Sequence, residues 1–383
     1  MKISNAKILI GDSFVDGGVE FDTVIRDVGA GVAGGADAQG CYLLPGLVDI
    51  HSHAAVGADA SDGDAEGMVR MSRWYAARGV TSWCPTTMTL GEPELTKAMR
   101  VIRNFRRPEN GAKAAGVNLE GPFVGHARCG AQDPGLIHAP DAALFHRLNE
   151  ACGGAVRLVT VAPEEPGAIE CIREISRDCA VSLGHTAADY DTAMAAYAAG
   201  ASHTTHLFNA MAALGHRAPG VIAAASDAGA TVELICDGLH VHPAVVRLTC
   251  RLFGDKLVLI SDSSRCSGMP DGDYELGGQA VAMKGGRVTL RGTDTLAGSS
   301  IHLLDGVRRA VSFGIPLAAA VIAATLTPAR VIGMDGRIGS LAVGKCADFV
   351  LLDRELEVCA VFIDGEQITE DRRYALRQKR LII

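Results

Sequence analysis

The chain has 383 residues, 48% of them hydrophobic and 21% charged, and this length accommodates one large domain with a small one beside it. The formal net charge of −8 argues against nucleic acid or an anionic membrane as the main partner. The longest apolar run, residues 315–326, is shorter than the roughly 18 residues that a membrane span requires. The N-terminus has no signal-peptide pattern, and the eleven cysteines are scattered singly without a CxxC pair. We therefore expect a cytoplasmic protein with reduced thiols.

The two ends of the chain have a similar pattern of short strands. Residues 1–42 contain the strand-like pieces KILIGDSFV and VEFDTVIRDV, followed by a turn rich in glycine and alanine. Residues 336–383 contain GSLAVGKCADFVLLD and EVCAVFIDGEQI, which again combine short apolar runs with Gly and Asp turns. Neither end is long enough to bury a core alone. The pattern predicts that both ends pair in one small β-sandwich.

Residues 43–335 alternate short apolar runs with amphipathic stretches. Each run is rich in leucine or β-branched residues and too short for a globular helix. The runs are LLPGLVDIHSH, GVTSWCPTT, GVNLEGPF, VRLVTVAPE, AVSLGHT, SHTTHLFNA, TVELICDGLH and KLVLISDSS. The stretches between them read as helices, as in residues 64–78, where four large side chains have helical spacing: Met68, Met71, Trp74 and Tyr75.

Strands that alternate with helices predict a parallel sheet, and eight such units predict a closed (β/α)₈ barrel of the TIM type. An open, doubly wound α/β sheet is the alternative. Residues 274–296 contain further strand-like pieces and predict a β-excursion after the eighth barrel strand. We therefore divide the chain into a barrel at 43–335 and a small domain from 1–42 and 336–383.

Six imidazole or carboxylate side chains stand at the predicted carboxyl ends of five barrel strands: His51, His53, Glu120, His185, His206 and Asp262. Catalytic groups of such barrels project from these strand ends. Residues two apart in a strand share a face, so His51 and His53 can both point into the barrel mouth. Imidazole together with carboxylate suits Zn²⁺ or Fe²⁺ better than Mg²⁺ or Ca²⁺. The pattern predicts a site for one or two divalent cations.

Each of these residues also has an ordinary explanation when it is taken singly. An HxH pair in a strand is usually incidental, a Glu after a strand is usually a cap or a solvated residue, and Asp262 could cap the next segment. The site is favoured because the candidates end separate strands in register with the barrel period. His203, which precedes His206 by three residues, faces the other side of its strand, and we interpret it as a core or supporting histidine.

The order of the motifs PGLVDIHSH, LEGPF, LGHT, THLFNAM, DGLH, SDS and LAGSS resembles that of the N-acetylglucosamine-6-phosphate deacetylases of the amidohydrolase superfamily. The similarity covers nearly the whole chain, including the closing GSLAVGKCADFVLLD. It implies a (β/α)₈ barrel with a small β-sandwich from both termini. It also implies hydrolysis of N-acetylglucosamine 6-phosphate to glucosamine 6-phosphate and acetate.

The resemblance also implies a role for individual residues. Metal binding falls to His51, His53, Glu120, His185 and His206, and Asp262 becomes the general acid and base. The intact HxH pair favours two metal ions per chain, Zn²⁺ or Fe²⁺. Substrate contacts fall to Ala131, Gln132, Asn209, Ala210, Arg217, Asp237, His240, Leu296, Ala297, Gly298 and Ser299. The sequence departs from many relatives at Ala54 and Gln132, and both changes bear on sugar specificity rather than on the reaction class.

The resemblance further implies a homodimer in which Arg217 reaches the phosphate in the neighbouring subunit's site. Two other classes of function stay open. One is another enzyme of the superfamily, such as a deaminase, a cyclic amidase or an N-acetylgalactosamine-6-phosphate deacetylase. The other is a barrel that binds sugar phosphates without catalysis, although such a chain would be expected to have lost Asp262 or the metal ligands.

Overall fold

A computed structural model of the chain describes residues 1–369, so the end of the predicted C-terminal flank, 370–383, lies outside the described residues. The strands in the described range are, in chain order, β1 (Lys2–Ile10), β2 (Ser13–Phe21), β3 (Ile25–Gly29), β4 (Ala36–Asp37), β5 (Tyr42–Pro45), β6 (Leu47–Ser52), β7 (Ala54–Ala55), β8 (Ala58–Asp59), β9 (Val80–Pro85), β10 (Lys113–Ala114), β11 (Val117–Glu120), β12 (Val156–Val161), β13 (Ala180–Leu183), β14 (His203–Thr204), β15 (Thr231–Ile235), β16 (Leu257–Ile260), β17 (Gly272–Leu276), β18 (Gln279–Lys284), β19 (Arg287–Leu290), β20 (Phe349–Leu352), β21 (Val358–Ile363) and β22 (Glu366–Gln367).

The helices alternate with the strands in the middle of the chain. They are α1 (Ala65–Ala76), α2 (Glu92–Asn104), α3 (Ala142–Ala151), α4 (Ala168–Ile175), α5 (Tyr190–Ala199), α6 (Gly220–Asp227), α7 (Pro243–Phe253), α8 (Leu303–Ser312), α9 (Leu317–Ala323) and α10 (Leu326–Val331). Short 3₁₀ turns occur at Ala60–Asp62, His126–Arg128, Pro134–Leu136 and Gly254–Lys256. Within residues 1–369, no helix combines the length and the apolar character that crossing a membrane requires.

Eight parallel strands form a barrel of the TIM type, and each of the eight predicted apolar runs contains one of them. Strands β11 to β16 pair in sequential order, and β6 pairs with β9. A bridge between Thr86 and Asn118 joins the two groups at one seam. At the other seam, the Asp262 N–H donates to the His51 carbonyl at 3.0 Å. The sequential order has no reversal point, which excludes the doubly wound alternative.

Helix α1 shows how the sequence covers the barrel. Asp64 begins it as an N-cap, since its carboxylate accepts a hydrogen bond from the Glu66 N–H at 3.0 Å. The apolar side chains predicted from their spacing are then buried on one face: Met68, Met71, Trp74 and Tyr75. The helical interpretation of residues 64–78 therefore holds, with the helix ending slightly earlier than predicted.

Strands from both ends of the chain meet in one eight-stranded sheet, ordered β22–β21–β20–β5–β1–β2–β3, with β4 beside β1. The sheet has an apolar cluster of its own. Phe349 in this cluster stacks on Phe362 with ring centroids 4.6 Å apart and meets Phe21 edge-on at 4.9 Å. The two chain ends thus share a sheet, while its closure into a sandwich stays a prediction. Strands β17 to β19 form a separate antiparallel sheet at 272–290, which begins two residues before the segment predicted as an excursion.

Lys113 ties the barrel to this terminal sheet. It begins β10, which pairs with barrel strand β9. Its Nζ lies 2.6 Å from Asp348 Oδ2 and 2.7 Å from Asp364 Oδ1. Asp348 directly precedes β20, and Asp364 directly follows β21. Burial raises the pKa of the Asp348 carboxyl, and the Lys113 ammonium opposes that shift. The lysine therefore supplies the positive charge that makes this buried carboxylate tolerable.

Replacing Lys113 with methionine is expected to destabilise the protein, because the buried Asp348 carboxylate would lose its cation. Removing one partner of a buried ion pair costs about 3 kcal/mol, which urea unfolding followed by circular dichroism would detect as a lower midpoint. Lys2→Met is the matched control, since the Lys2–Glu20 pair is exposed and such pairs are worth at most about 1 kcal/mol. Equal losses in the two variants would contradict the role given to Lys113.

Candidate active site

The six side chains predicted at strand ends converge at the carboxyl end of the barrel. His51 lies in β6, His53 is the first residue after that strand, and Glu120 ends β11. His185, His206 and Asp262 each lie two residues beyond the last residue of β13, β14 and β16. All six are buried, with exposed fractions of 0 to 7%. The convergence follows from the parallel barrel, in which these strand ends face a common mouth.

The backbone takes a left-handed turn at three of these positions. The φ angles of His185, His206 and Asp262 are 47°, 25° and 47°. Residues other than glycine rarely adopt such angles, and they do so where surrounding contacts hold them in place. At Asp262, the N–H donates to the His51 carbonyl at 3.0 Å and the carbonyl accepts from the Ser299 N–H at 2.7 Å. These bonds fix the turn that directs the carboxylate into the mouth.

Glu120 lies at the centre of the cluster. Its Oε1 is 2.9 Å from His206 Nε2, 3.2 Å from His185 Nε2 and 3.3 Å from His51 Nε2. Its Oε2 is 3.1 Å from His53 Nε2. The Asp262 carboxylate approaches the HxH pair from the other side, with Oδ1 3.3 Å from His53 Nε2 and 3.6 Å from His51 Nε2.

The hydrogen bonds behind the rings show what kind of group this cluster holds. His51 Nδ1 donates to Glu233 Oε2 at 2.8 Å, and His185 Nδ1 donates to the Arg128 carbonyl at 3.1 Å. In the neutral imidazole, this leaves a lone pair on each Nε2. Both lone pairs face Glu120, and an acceptor facing an acceptor is unfavourable unless a proton or a metal ion lies between them. Among residues 1–369, His51 Nε2 is also without a hydrogen-bond partner.

The donor atoms form two groups that each suit a divalent cation. One group consists of His51, His53 and Asp262, and the other of Glu120, His185 and His206. Within each group the ligand atoms lie within 4.8 Å of one another, and every residue is buried. Imidazole nitrogens and carboxylate oxygens are the ligands of Zn²⁺ and Fe²⁺ sites. The residues present therefore fit the metal that the predicted site requires.

The electrostatics of the site favour positive charge. Burial opposes protonation of His53, but the Asp262 and Glu120 carboxylates outweigh it and raise the pKa of His53 to about 10. Burial likewise disfavours charge on His51, yet Glu233 and Glu120 raise its pKa well above the usual range. Burial tends to raise the pKa of the Asp262 carboxyl, and the His53 ring brings it below its ordinary value. Asp262 is thus a carboxylate at neutral pH.

A cavity of about 550 Å³ opens from this cluster. Five of the six strand-end residues line it, and His51 lies behind them. Of the predicted substrate contacts, those lining the cavity are Ala131, Gln132, Asn209, Ala210, His240, Leu296 and Gly298. The site residues are thereby brought together from loops that follow different strands.

Four predicted substrate contacts do not line the cavity. Arg217 is exposed in the loop after β14. Asp237 is buried behind His240, whose Nδ1 donates to its carboxylate at 2.7 Å. Ala297 is fully buried, and the Ser299 hydroxyl donates to the Ser261 carbonyl at 2.6 Å. The polar atoms of Asp237 and Ser299 therefore bond to other residues of the protein, and the two side chains support the site instead of contacting a substrate.

Gln132 lines the cavity, but its amide is also engaged. Its Oε1 accepts from the Thr89 N–H at 2.7 Å, and its Nε2 donates to Glu120 Oε2 at 2.8 Å. These two bonds settle which end of the amide faces the carboxylate. In this structure Gln132 orients Glu120, in addition to any contact with a substrate.

Two further residues were missed by the sequence reasoning. Arg128 lines the cavity from the 3₁₀ turn at His126–Arg128, and no spacing pattern distinguished it from other loop arginines. Glu233 lies within β15 and bonds to His51 and His203. A signal for Glu233 existed in the run TVELIC, because an ionisable residue inside an apolar strand is rarely buried without a partner.

Three comparisons with known proteins agree with this geometry. The amidohydrolase family profile matches residues 42–368. N-acetylglucosamine-6-phosphate deacetylase of Bacillus subtilis is 39% identical over 84% of this chain and 83% of its own length. N-acetylgalactosamine-6-phosphate deacetylase of Escherichia coli O157:H7 is 38% identical over 85% of this chain and 87% of its own.

A solved structure gives the same result in three dimensions. A variant of N-acetyl-D-glucosamine-6-phosphate deacetylase from Mycobacterium smegmatis, in complex with N-acetyl-D-glucosamine-6-phosphate, superposes with a TM-score of 0.90. It is 33% identical, and the match covers 96% of this chain and 99% of that one. The shared barrel, the strand-end ligand cluster and a family profile spanning most of the sequence lead to one conclusion: the chain belongs to the amidohydrolase family.

Proposed function

We propose that this protein removes the acetyl group from N-acetyl-D-glucosamine 6-phosphate, giving D-glucosamine 6-phosphate and acetate. One observation carries the proposal. The ligand cluster and Asp262 open into a single cavity, and residues of the GAQ, FNA and LAG segments line the same cavity. The relatives named for this reaction support it. N-acetylgalactosamine 6-phosphate is the second candidate substrate, because a relative named for it is nearly as similar at 38% identity.

The metal content follows from the two donor groups. We assign one divalent cation to His51, His53 and Asp262, and a second to Glu120, His185 and His206. Zn²⁺ or Fe²⁺ suits these ligands. When bound, such cations activate water and polarise an amide carbonyl as Lewis acids. The protein's own side chains must then bind the sugar and move the protons.

Asp262 is the residue that moves the proton. Its side chain is 10% exposed and faces the cavity beside His53. It accepts a proton from the water that attacks the acetamide carbon, and it delivers that proton to the sugar nitrogen as the C–N bond breaks. The products are acetate and the free amine. One carboxylate can serve both steps because the attacking water and the sugar nitrogen are both next to the acetamide carbon.

His240 and Asn209 are positioned to hold the sugar. Asp237 accepts from His240 Nδ1 at 2.7 Å, so His240 Nε2 is left to meet a hydroxyl or the acetamide. Asn209 Nδ2 donates to the carbonyls of His206 and Leu207 at 3.2 and 3.3 Å. Its Oδ1 then remains as an acceptor on the cavity side.

The phosphate of this substrate requires a cation, and two arginines are candidates. Among residues 1–369, Arg128 is the one arginine or lysine that lines the cavity. Arg217 lies outside it and is exposed, as expected of a residue that serves a neighbouring subunit. We assign Arg128 to the phosphate within its own chain and Arg217 to the phosphate of the partner subunit in a homodimer. A guanidinium binds phosphate oxygens in a bidentate manner.

The remaining parts of the proposal concern organisation and location. We keep the division into a barrel at 43–335 and a β-sandwich from 1–42 and 336–383. The sheet that both ends share supports it, although β5 of that sheet extends to residue 45. A cytoplasmic location is supported by the unpaired state of all eleven cysteines.

Acetate release should distinguish the candidate substrates. We expect a higher kcat/KM for N-acetylglucosamine 6-phosphate than for its galactosamine epimer. Removing the phosphate should lower kcat/KM by about 10- to 100-fold, since hydrogen bonds to charged groups contribute roughly 1.5–3 kcal/mol. A preference for the galactosamine epimer would select the second candidate. No acetate from either compound, with metal supplied, would point to a deaminase, a cyclic amidase or a non-catalytic barrel.

Asp262→Asn should lower kcat by about 10²- to 10⁴-fold, because the amide cannot transfer the proton. Circular dichroism should stay close to that of the wild type, and kcat is compared with metal in excess because Asp262 is also assigned to one of the two cations. Asp294→Asn is the matched control, as Asp294 also lines the cavity but is exposed and has no part in the proposed proton transfer. Wild-type turnover of Asp262→Asn would reduce Asp262 to a structural role.

Subunit mixing should separate the two arginines. A dimer of Arg217→Ala and Asp262→Asn chains holds one complete site if Arg217 acts on the neighbouring site. Random reassortment makes about half of the dimers mixed, so activity at low substrate concentration should recover to roughly a quarter of wild type. The absence of recovery after demonstrated subunit exchange would rule out the shared site.

The matched mixture replaces Arg217→Ala with Arg128→Ala. If Arg128 serves its own chain, every site in this mixture carries one defect and activity does not recover. Arg128→Ala alone should raise KM for the phosphorylated substrate and leave kcat/KM for the unphosphorylated sugar unchanged. Recovery in this second mixture would reassign Arg128 to the neighbouring site.

A further inference from the structure

Glu233 is an ionisable residue in the middle of an apolar barrel strand. It is the third residue of β15, and its side chain is fully buried. Its Oε2 accepts from His51 Nδ1 at 2.8 Å and from the His206 N–H at 3.1 Å. Its Oε1 lies 3.1 Å from His203 Nε2. Glu233 does not line the cavity, so it touches no substrate.

These contacts connect the two groups of metal ligands. His51 belongs to the group with His53 and Asp262, whereas His206 belongs to the group with Glu120 and His185. A single oxygen of Glu233 therefore binds one member of each group, one through its ring and the other through its backbone. No other carboxylate among residues 1–369 contacts both of these residues from the side away from the cavity.

The chemistry of the first contact determines the tautomer of His51. A carboxylate accepts hydrogen bonds and donates none, so the proton of the neutral ring must lie on Nδ1. The lone pair is then on Nε2, which points toward Glu120 and Asp262. The negative charge also makes the ring a stronger ligand. The second contact acts on the backbone, because it holds the N–H of His206 where the chain has a φ of 25°.

We propose that Glu233 is a positioning residue for both metal ions: it selects the His51 tautomer that exposes Nε2 and holds the left-handed turn that directs His206. The inference deepens the proposed function, since it rests on the assignment of two divalent cations to this site. His203 has a supporting part, because it occupies the second oxygen of Glu233 and keeps the carboxylate from rotating. The buried glutamate thus prepares the ligands before a metal binds.

Zinc titration of the full chain after chelator treatment tests the proposal without any assay of activity. Wild type should bind two Zn²⁺ per chain. Glu233→Leu removes the acceptor and should weaken zinc binding by about 10- to 100-fold, as is typical when a partner behind a metal-bound histidine is lost. Glu233→Gln keeps an acceptor but loses the charge, so it should weaken zinc binding by about tenfold, the lower end of that range. The absorption spectrum of the Co²⁺-loaded protein should change in parallel.

Thr325→Val is the matched control, since it also removes a buried hydrogen bond. The Thr325 hydroxyl donates to the Val321 carbonyl at 2.7 Å, and its backbone bonds to Ile322 and Ala329, none of which is a proposed ligand. Zinc affinity of this variant should equal that of wild type. The proposal is overturned if the control weakens zinc binding as much as Glu233→Leu does, or if folded Glu233 variants bind two Zn²⁺ with wild-type affinity.

Two further features keep the test decisive. If Glu233→Leu does not fold, Glu233→Gln has nearly the same shape and its zinc affinity alone decides. The proposed function fails in a different way, when metal-loaded wild type releases no acetate from either sugar phosphate. Zinc binding by the variants can therefore support Glu233 as a positioning residue even where the substrate assignment is wrong.

Discussion

The whole site depends on one buried carboxylate surrounded by imidazoles. Glu120 is 2% exposed, and nitrogens of four histidines lie 2.9 to 3.3 Å from its two oxygens. A buried charge without compensation is strongly unfavourable. In their neutral form, His51 and His185 place lone pairs toward Glu120, because the hydrogen bonds on their far side hold the ring protons, so the site must bind either additional protons or metal ions. Divalent cations satisfy the carboxylate and the lone pairs together, and the other features of the site follow from this requirement.

The backbone departs from its preferred angles to meet that requirement. A parallel strand directs alternate side chains inward, but a ligand beyond the strand end must be turned toward the mouth by the chain itself. The left-handed residues His185, His206 and Asp262 make these turns, at a cost on the order of 1–3 kcal/mol each. Hydrogen bonds offset the cost, as where the Gly125 N–H donates to the His185 carbonyl at 2.8 Å.

Much of this could be predicted from the sequence, because the signals are local. A barrel strand is a short apolar run, and a ligand that follows it appears as a polar residue at a fixed place in the pattern. Glu233 shows why the rest could not be predicted. Its partners lie 182 and 30 residues away in the chain, and only the barrel brings His51 and His203 beside it.

The same limit explains the loops and the supporting residues. The sequence places Asp237 and His240 in one motif, but it does not show that the Asp237 carboxylate accepts a hydrogen bond from the His240 ring. Arg128 and Arg217 are both loop arginines, and only the fold shows which of them lies over the cavity of its own chain. Motif similarity indicates that a residue belongs to a site, whereas its hydrogen bonds decide what it does there.

Charge raises a last question, because a chain with a net charge of −8 must attract an anionic sugar phosphate. Without a metal ion, the three buried carboxylates of Glu120, Glu233 and Asp262 are offset by protons on histidines such as His51 and His53. On the proposed assignment, two divalent cations take the place of those protons and contribute four positive charges beside the three carboxylates. Salt screens charges over about 8–10 Å at physiological ionic strength, so a phosphate bound in the same cavity is still attracted by that charge. Metal loading and phosphate binding therefore reinforce one another, and Arg128 adds orientation to an attraction that the metal ions make possible.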